Sequence, residues 1–540
     1  MPLAARGWVR GCVAGLLCLL CVAVPAAPDP AEVRETLRRS TEQLHSTGRV
    51  TVAGQPILSR HALPRVYEAR RFRLLWTDRA NVEALLGEIA AAAGDGLNPA
   101  DYHFEPLRAL LERRRSEPDD PNLAASVDLL LTDALVRIAA HFYQGKVDLE
   151  AGAPRWDLHG PVRGEPAAVV LTRIATGSAV TLQLGELRPV QPLYGRMKSA
   201  LARYRILELE GGWEPIPSGP ALQLDMEDPR VPLIRRRLGQ TGDFRGVVVD
   251  SSRFEPALEE AVRRFQERMG LAVDGVFGPA SLRELNRPVG ERVLQLQANL
   301  ERARWLLGDL RGHFLMLDPA GERVVLMDNS QPMLELDARF SSLAREADTY
   351  RAQLEYFVVH PDWVVPHALV ETQIAPLARR NPAELSALGL EVFDAANRPR
   401  AAAQVDWRNP AGVIVRQLPG PRSFLGVLRF PVSGRAEVFL HGLPQAGEGL
   451  PGSIRLDDPV QLARALAAPA AAPTPWSNEQ LDAALAAGRP RTFTLGTPLP
   501  VIHAPWTAWV ETDGRVYYRS GYDDLDAAIG AQLRATPGGG

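Results

Sequence analysis

The sequence predicts a multidomain α+β chain: a helical N-terminal scaffold, a compact three-helix unit, and a mainly-β C-terminal domain with a helical cap. Three observations carry this. Apolar residues recur at helical spacing through most of 64–144, most plainly in Val82–Ala93 and Ala125–Phe142. The stretch from Asp228 to Asn286 has two stop glycines and an Asp-Gly turn at short intervals. From Phe314 onward, short alternating segments separated by turn residues take over.

The whole chain sets bounds first. At 540 residues it has room for three domains of ordinary size. A composition of 46% hydrophobic and 23% charged residues is that of a globular protein. A net charge of −3 argues against nucleic acid or an anionic membrane surface as partner.

The first 27 residues read as an export signal. Arg6 and Arg10 form a basic start, and Gly11–Val24 is an apolar run too short for a comfortable span. Val24-Pro25-Ala26 and Ala27 offer cleavage sites, so the expected location is the periplasm; an uncleaved anchor is the alternative. Leu20 before Cys21 argues against lipidation. Cys12, Cys18 and Cys21 are the only cysteines, so the mature chain has no thiol, no disulfide and no cysteine metal site. Losing Arg6 and Arg10 takes the net charge from −3 to −5. The ten histidines show no metal-ligand spacing, and no phosphate loop or dinucleotide fingerprint is present, so neither metal nor cofactor is expected.

The scaffold occupies 28–225. Pro28 to about Thr51 is polar and helical, and Val82–Ala93 stops at Gly94-Asp95-Gly96. Leu97-Asn98-Pro99-Ala100-Asp101-Tyr102 starts the next helix. Trp76, Leu131-Thr132-Asp133, His141 and Gly145-Lys146 stand out; on their own chemistry they are core and turn residues.

The second unit occupies 226–290. A helix over Val231–Leu238 ends at Gly239, Phe254–Met269 carries Ala261, Val262, Phe265 and Gln266 at helical spacing, and Gly270-Leu271 ends it. Asp274-Gly275 then turns, through Gly278-Pro279, into a third helix ending at Leu285. This pattern resembles the three-helix peptidoglycan-binding domain. The resemblance implies contact with glycan; the glycine and Asp-Gly positions themselves are conformational.

The third domain occupies 291–535. A helix over Leu294–Trp305 leads into strands at Phe314–Leu317, Arg323–Met327, Met333–Leu336 and Leu354–Val359, with a turn at Asp318-Pro319-Ala320-Gly321. Helices over Val370–Arg379 and Pro382–Leu388 belong to a cap at about 368–416. The informative stretch is Val438–Pro459: a strand at Val438–Leu440, a Gly/Pro-rich loop, a strand at Ser453–Leu456, and a helix opening at Asp457-Asp458-Pro459. A His at the end of one strand and a small residue at the start of the next is a common way to set a base beside a nucleophile.

His441-Gly442 and Gly452-Ser453-Ile454-Arg455 resemble the signature of the L,D-transpeptidases, most closely the large periplasmic members with a helical scaffold. Several other stretches match the same family: Trp76, Asp95-Gly96-Leu97-Asn98-Pro99, Asp101-Tyr102, Pro361-Asp362-Trp363-Val364-Val365-Pro366, Leu418-Pro419-Gly420-Pro421, Leu425-Gly426, Arg429-Phe430 and Trp506-Thr507-Ala508-Trp509-Val510. The resemblance runs from about 64 to 526. It departs from the pattern in the catalytic loop: Ser453 stands at the family's nucleophilic cysteine, Pro451 replaces a polar residue, His360 replaces an Asn, and only 12 positions separate His441 from Ser453.

In the family a thiolate attacks a stem-peptide carbonyl, a His activates it, and backbone N–H groups hold the oxyanion. The resemblance therefore implies His441 as base, Ser453 and Gly452 at the nucleophile turn, and Arg455 as a binder of substrate carboxylate. Arg455 could instead pair with Asp457 or Asp458, which otherwise cap a helix. A serine hydroxyl needs a base held in one tautomer by a third group. Gly442 and Leu443 offer no acceptor side chain, although a backbone carbonyl could serve. Three readings follow: a degenerate, non-cross-linking member in cell-wall biogenesis; an active L,D-transpeptidase or carboxypeptidase using Ser453; and a pure peptidoglycan-binding scaffold. The partners expected are peptidoglycan stem peptides and glycan, with other cell-wall synthesis proteins as further candidates.

Overall fold

A computed structural model describes residues 28–148, 153–158, 160–247, 250–328, 331–346, 349–435, 438–442, 452–467 and 475–536. The export signal, Leu443, Pro451 and most of the Pro/Ala-rich linker lie outside the described residues.

Helix α1 (Pro30–Thr47) is capped by Asp29, whose side chain accepts from the Ala31 N–H, and closes at Gly48 in the left-handed region. Helix α2 (Arg79–Ala91) passes into a 3₁₀ turn at Ala92–Asp95 that Gly96 closes at φ 79°. Helix α3 (Pro121–Gln144) is buried on nearly every face from Leu123 to Phe142, so it is the axis of the scaffold. The residues singled out there are internal ties. Asp128 accepts from the backbone N–H of Leu75 and Trp76, and Trp76 Nε1 donates to Thr132 at 3.1 Å. Asp133 accepts from Leu58 and Ser59 and lies 2.8 Å from His103 Nε2. Each of these buried polar groups thus has a partner, as burial requires.

Helix α4 (Pro192–Leu209) leads to the three-helix unit: α5 (Val231–Gln240), α6 (Pro256–Met269) and α7 (Pro279–Leu285). The expected stop at Gly239 is corrected: α5 runs on to Gln240, and Gly242 at φ 81° makes the left-handed turn. Gln266 ties this unit together: it donates to Asp274 Oδ1 at 2.7 Å and to the Val276 carbonyl, and it accepts from the Gly275 N–H at 2.9 Å. Ala261, Val262 and Phe265 are buried beside Val231, Ile234 and Leu238.

Helix α8 (Val289–Leu307) is longer than the Leu294–Trp305 segment expected, and it joins the regions. It buries Arg292, Gln295, Asn299, Glu301, Arg302 and Arg304. Arg304 pairs with Glu301 and donates to the Asp95 carbonyl of the scaffold at 2.7 Å. Arg302 pairs with Asp526 near the end of the chain at 2.7 Å.

Among the described residues eight strands close into a barrel: β1 (Phe314–Asp318), β2 (Arg323–Asp328), β3 (Gln331–Phe340), β4 (Tyr350–Val359), β5 (Leu428–Pro431), β6 (Phe439–His441), β7 (Ser453–Leu456) and β8 (Arg491–His503). Their order is β5-β6-β7-β3-β2-β1-β8-β4, with β4 back against β5. The pairs β6–β7 and β8–β1 are parallel. Closure leaves no unpaired barrel edge. Leu315, Leu326, Phe357, Phe430, Leu440, Ile454 and Leu456 share the barrel core.

The cap is a four-stranded antiparallel sheet, ordered Pro399–Arg400, Leu390–Phe393, Ile414–Gln417, Trp363–Val364, with short helices above it. The single helix expected over Val370–Arg379 is split. Val370–Ile374 is a π turn and Ala375–Arg380 is α-helical. Pro376 supplies the reason: it has no N–H for the carbonyl one turn back, and its ring crowds that carbonyl. Helix α9 (Pro459–Leu466) follows β7; α10 (Asn478–Ala487) carries a capping box at Ser477 and Gln480. The last helix, α11 (Asp523–Arg534), returns to the scaffold, where Ile529 and Leu533 join its core. Lys146 Nζ donates to the carbonyls of Leu533 and Ala535 as well as to Asp101.

Candidate functional site

Strands β6 and β7 place the candidate residues. Phe439 lies opposite Ser453, Leu440 opposite Ile454, and His441 opposite Arg455. Leu440, Ile454 and Leu456 belong to the barrel core, whereas Phe439 belongs to the cap core. Alternation along each strand therefore puts Phe439, His441, Ser453 and Arg455 on the outer face of the barrel, toward the cap. The strand expected at Val438–Leu440 is displaced by one residue to Phe439–His441, which takes His441 into the ladder.

The expected base and nucleophile share this face without meeting. His441 is two register positions from Ser453, a diagonal relation of about 7–8 Å between strands. His441 is 0% and Ser453 1% exposed. Neither ring nitrogen nor the Ser453 hydroxyl has a close hydrogen-bond partner among the described residues. The Phe424 backbone is the one polar group among the described residues that favours the protonated ring, and its influence is smaller than that of burial or of either arginine.

Burial pushes the His441 imidazole down to about 4, and the nearby Arg455 and Arg429 guanidiniums push the same way. Near neutral pH the ring is uncharged. It can accept a proton in principle, but it is a poor base and does not touch the hydroxyl it would have to activate.

Close backbone approach explains the glycines. A Cβ on Gly442 would lie 2.3 Å from Pro459 Cγ, so the residue after the histidine must be bare for α9 to start where it does. A Cβ on Gly426 would lie 1.3 Å from the Gly442 carbonyl oxygen, and Gly426 has φ +65°. Gly452 enters β7 at φ 76°.

Arg455 is half-buried. One expected alternative partner is engaged elsewhere: Asp458 caps α9 by accepting from the Gln461 N–H at 3.0 Å. Neither Asp457 nor Asp458 pairs with Arg455 among the described residues.

Sequence reading gave Arg429 no role in the site. It lies directly opposite His441 on β5, its guanidinium stands 4.9 Å from the Phe439 ring centroid, and its Nε is buried without a partner among the described residues. The one signal was its place in the Arg429-Phe430 segment just ahead of the histidine.

A cavity of about 1060 Å³ lies elsewhere, where the scaffold meets the end of α8 and the barrel; Tyr143, Trp305, Arg351 and Tyr522 line it. Among the described residues no His/Cys/Asp/Glu cluster could hold a metal, and no helix is long and apolar enough to cross a membrane.

Fold and site define a multidomain protein in which a helical scaffold and a three-helix unit carry a β-barrel domain with a capped polar face. A family profile described as "Scaffold domain" matches residues 61–201, and one described as "Putative peptidoglycan binding domain" matches 227–285. The chain is 25% identical over 178 residues to a "Putative L,D-transpeptidase" of Haemophilus influenzae, covering 31% of this chain and 35% of that protein. It thus spans about a third of the length of the curated relative it matches. The solved L,D-transpeptidase (residues 123–326) of Xylanimonas cellulosilytica aligns with 54% of this chain and 100% of its own, at 15% identity and a TM-score of 0.15. A fused Zn-dependent amidase/peptidase with a peptidoglycan-binding domain, from Clostridium acetobutylicum, aligns over 53% of this chain and 100% of its own, at 10% identity and a TM-score of 0.13. Superpositions this loose carry no argument. The chain therefore carries a scaffold-domain match and a peptidoglycan-binding-domain match, and resembles an L,D-transpeptidase over part of its length.

Proposed function

We propose that this chain is an exported, periplasmic, peptidoglycan-associated protein of cell-wall biogenesis that keeps the L,D-transpeptidase architecture and binds stem peptides without cross-linking them. The association with peptidoglycan rests on the match over 227–285 and on the transpeptidase homologue. The loss of chemistry rests on one observation: Ser453, at the position where the family carries its thiol, makes no hydrogen bond to His441. A hydroxyl is far less acidic than a thiol and does not ionise unaided, so a serine in this place depends wholly on such a contact.

The test is intact-protein mass spectrometry of the mature chain after incubation with tetrapeptide muropeptides, repeated on Ser453→Ala and Ser453→Cys, beside pelleting with isolated sacculi. Binding to sacculi with no acyl adduct and no D-alanine release from the native protein is the expected result. An adduct that disappears in Ser453→Ala would establish a serine enzyme and overturn the reading. An adduct seen only in Ser453→Cys would locate the loss in the nucleophile alone.

A further inference from the structure

Helix α4 is apolar on two faces. Tyr194, Met197, Ala200, Leu201 and Tyr204 face inward and are buried. Ala202, Ile206 and Leu209 form a second stripe at i, i+4 and i+7, and all three are exposed, Ile206 at 56% and Leu209 at 87%. A helix apolar all round is ordinarily covered all round. The charges at the tip of this stripe are acidic, Glu208 and Glu210, both exposed. The arginines of the same turns are drawn away from it: Arg203 donates to the Gly514 carbonyl at 2.9 Å, and Arg205 to the Ala93 carbonyl.

A groove elsewhere on the same chain matches the stripe. Helix α2 and the helix Phe104–Ser116 both pack on α3 and leave about 760 Å³ between them. The floor is Trp76, Val127 and Leu131, and the walls offer the half-buried Val82, Leu86 and Leu111. A groove with helical walls and an apolar floor takes an amphipathic helix, whose anchors recur at i, i+4 and i+7. The rim is charged mostly in pairs along each wall: Arg79 with Glu83 at 2.7 Å, Arg108 with Glu105 at 3.4 Å, and Arg115 with Glu112 at 2.7 Å. Every residue lining the groove is described, and Arg114 is the one rim arginine without a carboxylate at ion-pair distance among the described residues. The rim is thus net positive, where the tip of the α4 stripe is acidic.

We propose that the α4 stripe of one copy docks in the α2 groove of a second copy, as a head-to-tail contact between two different surfaces. Ile206 and Leu209 are the anchors, and Glu208 and Glu210 lie toward the arginine rim. Each copy offers both surfaces, so the contact repeats from copy to copy. One helix stripe is a small interface and gives a weak association. The inference is independent of the chemistry at Ser453 and of sacculus binding.

The experiment is sedimentation equilibrium of the full mature protein between about 5 and 500 μM, a range that spans weak contacts. The weight-average mass of the native protein is expected to climb above that of the monomer as concentration rises. Leu209→Glu, at the exposed end of the stripe, and Leu86→Glu, in the groove wall, should each weaken association by about tenfold or more. Arg108→Glu, on the exposed rim, should weaken it several-fold without touching the floor, so the groove is tested even if Leu86→Glu fails to fold. Mixing Leu209→Glu with Leu86→Glu brings the intact groove of one to the intact stripe of the other, and the mixture should form dimers and nothing larger. A native protein that stays monomeric throughout would overturn the inference, as would self-association unchanged in Leu209→Glu or Arg108→Glu. Two folded, blocked variants that fail to pair when mixed would overturn it too, because stripe and groove would then not be each other's partners.

Discussion

Ser453 and His441 occupy the same outer face of two parallel strands, two positions apart, with the Ser453 hydroxyl buried and no hydrogen bond between them. A buried hydroxyl with no partner is a cost to the fold, in the range of about 1–3 kcal/mol for a desolvated polar group. Ser453→Ala removes the group without removing a bond to any described residue. The substitution is therefore expected to stabilise the protein by roughly 1 kcal/mol, read as a rise in the melting temperature of the barrel transition. A working serine held by His441 would give the opposite sign, because its removal would strand the imidazole.

The depressed His441 pKa makes stability depend on pH with a definite sign. Burial, Arg455 and Arg429 bring the ring to about 4, below its ordinary 6.5 in the unfolded chain. Between these values the unfolded chain binds more protons, so stability rises with pH there. The contribution is complete above about 6.5, falls away as the pH drops toward 4, and is worth on the order of 3 kcal/mol. His141 is also buried and pushed well below its ordinary value, so His441 is not the only such group among the described residues. His441→Gln should flatten the fall in melting temperature between pH 7 and pH 5 without abolishing it. An unchanged slope would mean that His441 titrates normally in the folded state.

The glycines around the site are steric requirements. Gly442→Ala forces a methyl against Pro459 and should cost about 1–3 kcal/mol. Gly426→Ala should cost more, because its Cβ would overlap the Gly442 carbonyl oxygen at a backbone angle that alanine disfavours. Thermal melts of the two variants check the order. A Gly442→Ala protein as stable as the parent would show that α9 can shift its start.

Much of this architecture is local and could be read from the chain. Alternation marked β7 at Ser453–Leu456 to the residue, and the Asp-Pro pair marked the start of α9. The turn chemistry of Gln266, Asp274 and Gly275 marked the three-helix unit. What stayed hidden depends on register between strands far apart in sequence. Arg429, His441, Arg455 and Arg339 form a row only because β5, β6, β7 and β3 are neighbours in the barrel, which no periodicity reports. The same holds for the failed contact: His441 and Ser453 were expected to meet because they end and begin adjacent strands, and the parallel register offsets them. The π turn at Val370–Ile374 could have been anticipated, since Pro376 interrupts an otherwise regular helical pattern.

The end of the chain supplies the last prediction. Lys146 is fully buried and holds three acceptors, Asp101 Oδ2 at 2.8 Å, the Leu533 carbonyl at 2.7 Å and the Ala535 carbonyl at 2.9 Å. Two of these are carbonyls at the end of α11, which a cation satisfies as a C-terminal cap. The scaffold thus fastens the C-terminal helix through one ammonium. Burial pushes the Lys146 amine down and the Asp101 carboxyl up, opposed in each case by the partner charge. Removing one member leaves the other buried and unpaired, which costs about 3–5 kcal/mol for pairs of this kind. Lys146→Met should therefore lower the melting temperature strongly and make the chain cleavable by protease between about 520 and 536, where Leu533 otherwise packs in the scaffold core. Adding Asp101→Asn should recover part of the melting temperature, because it removes the stranded carboxylate, yet leave the C-terminal helix protease-sensitive, because its carbonyls still lack their donor. A Lys146→Met protein with its C-terminal helix still protected would show that the apolar contacts of Ile529 and Leu533 suffice to hold α11 in place.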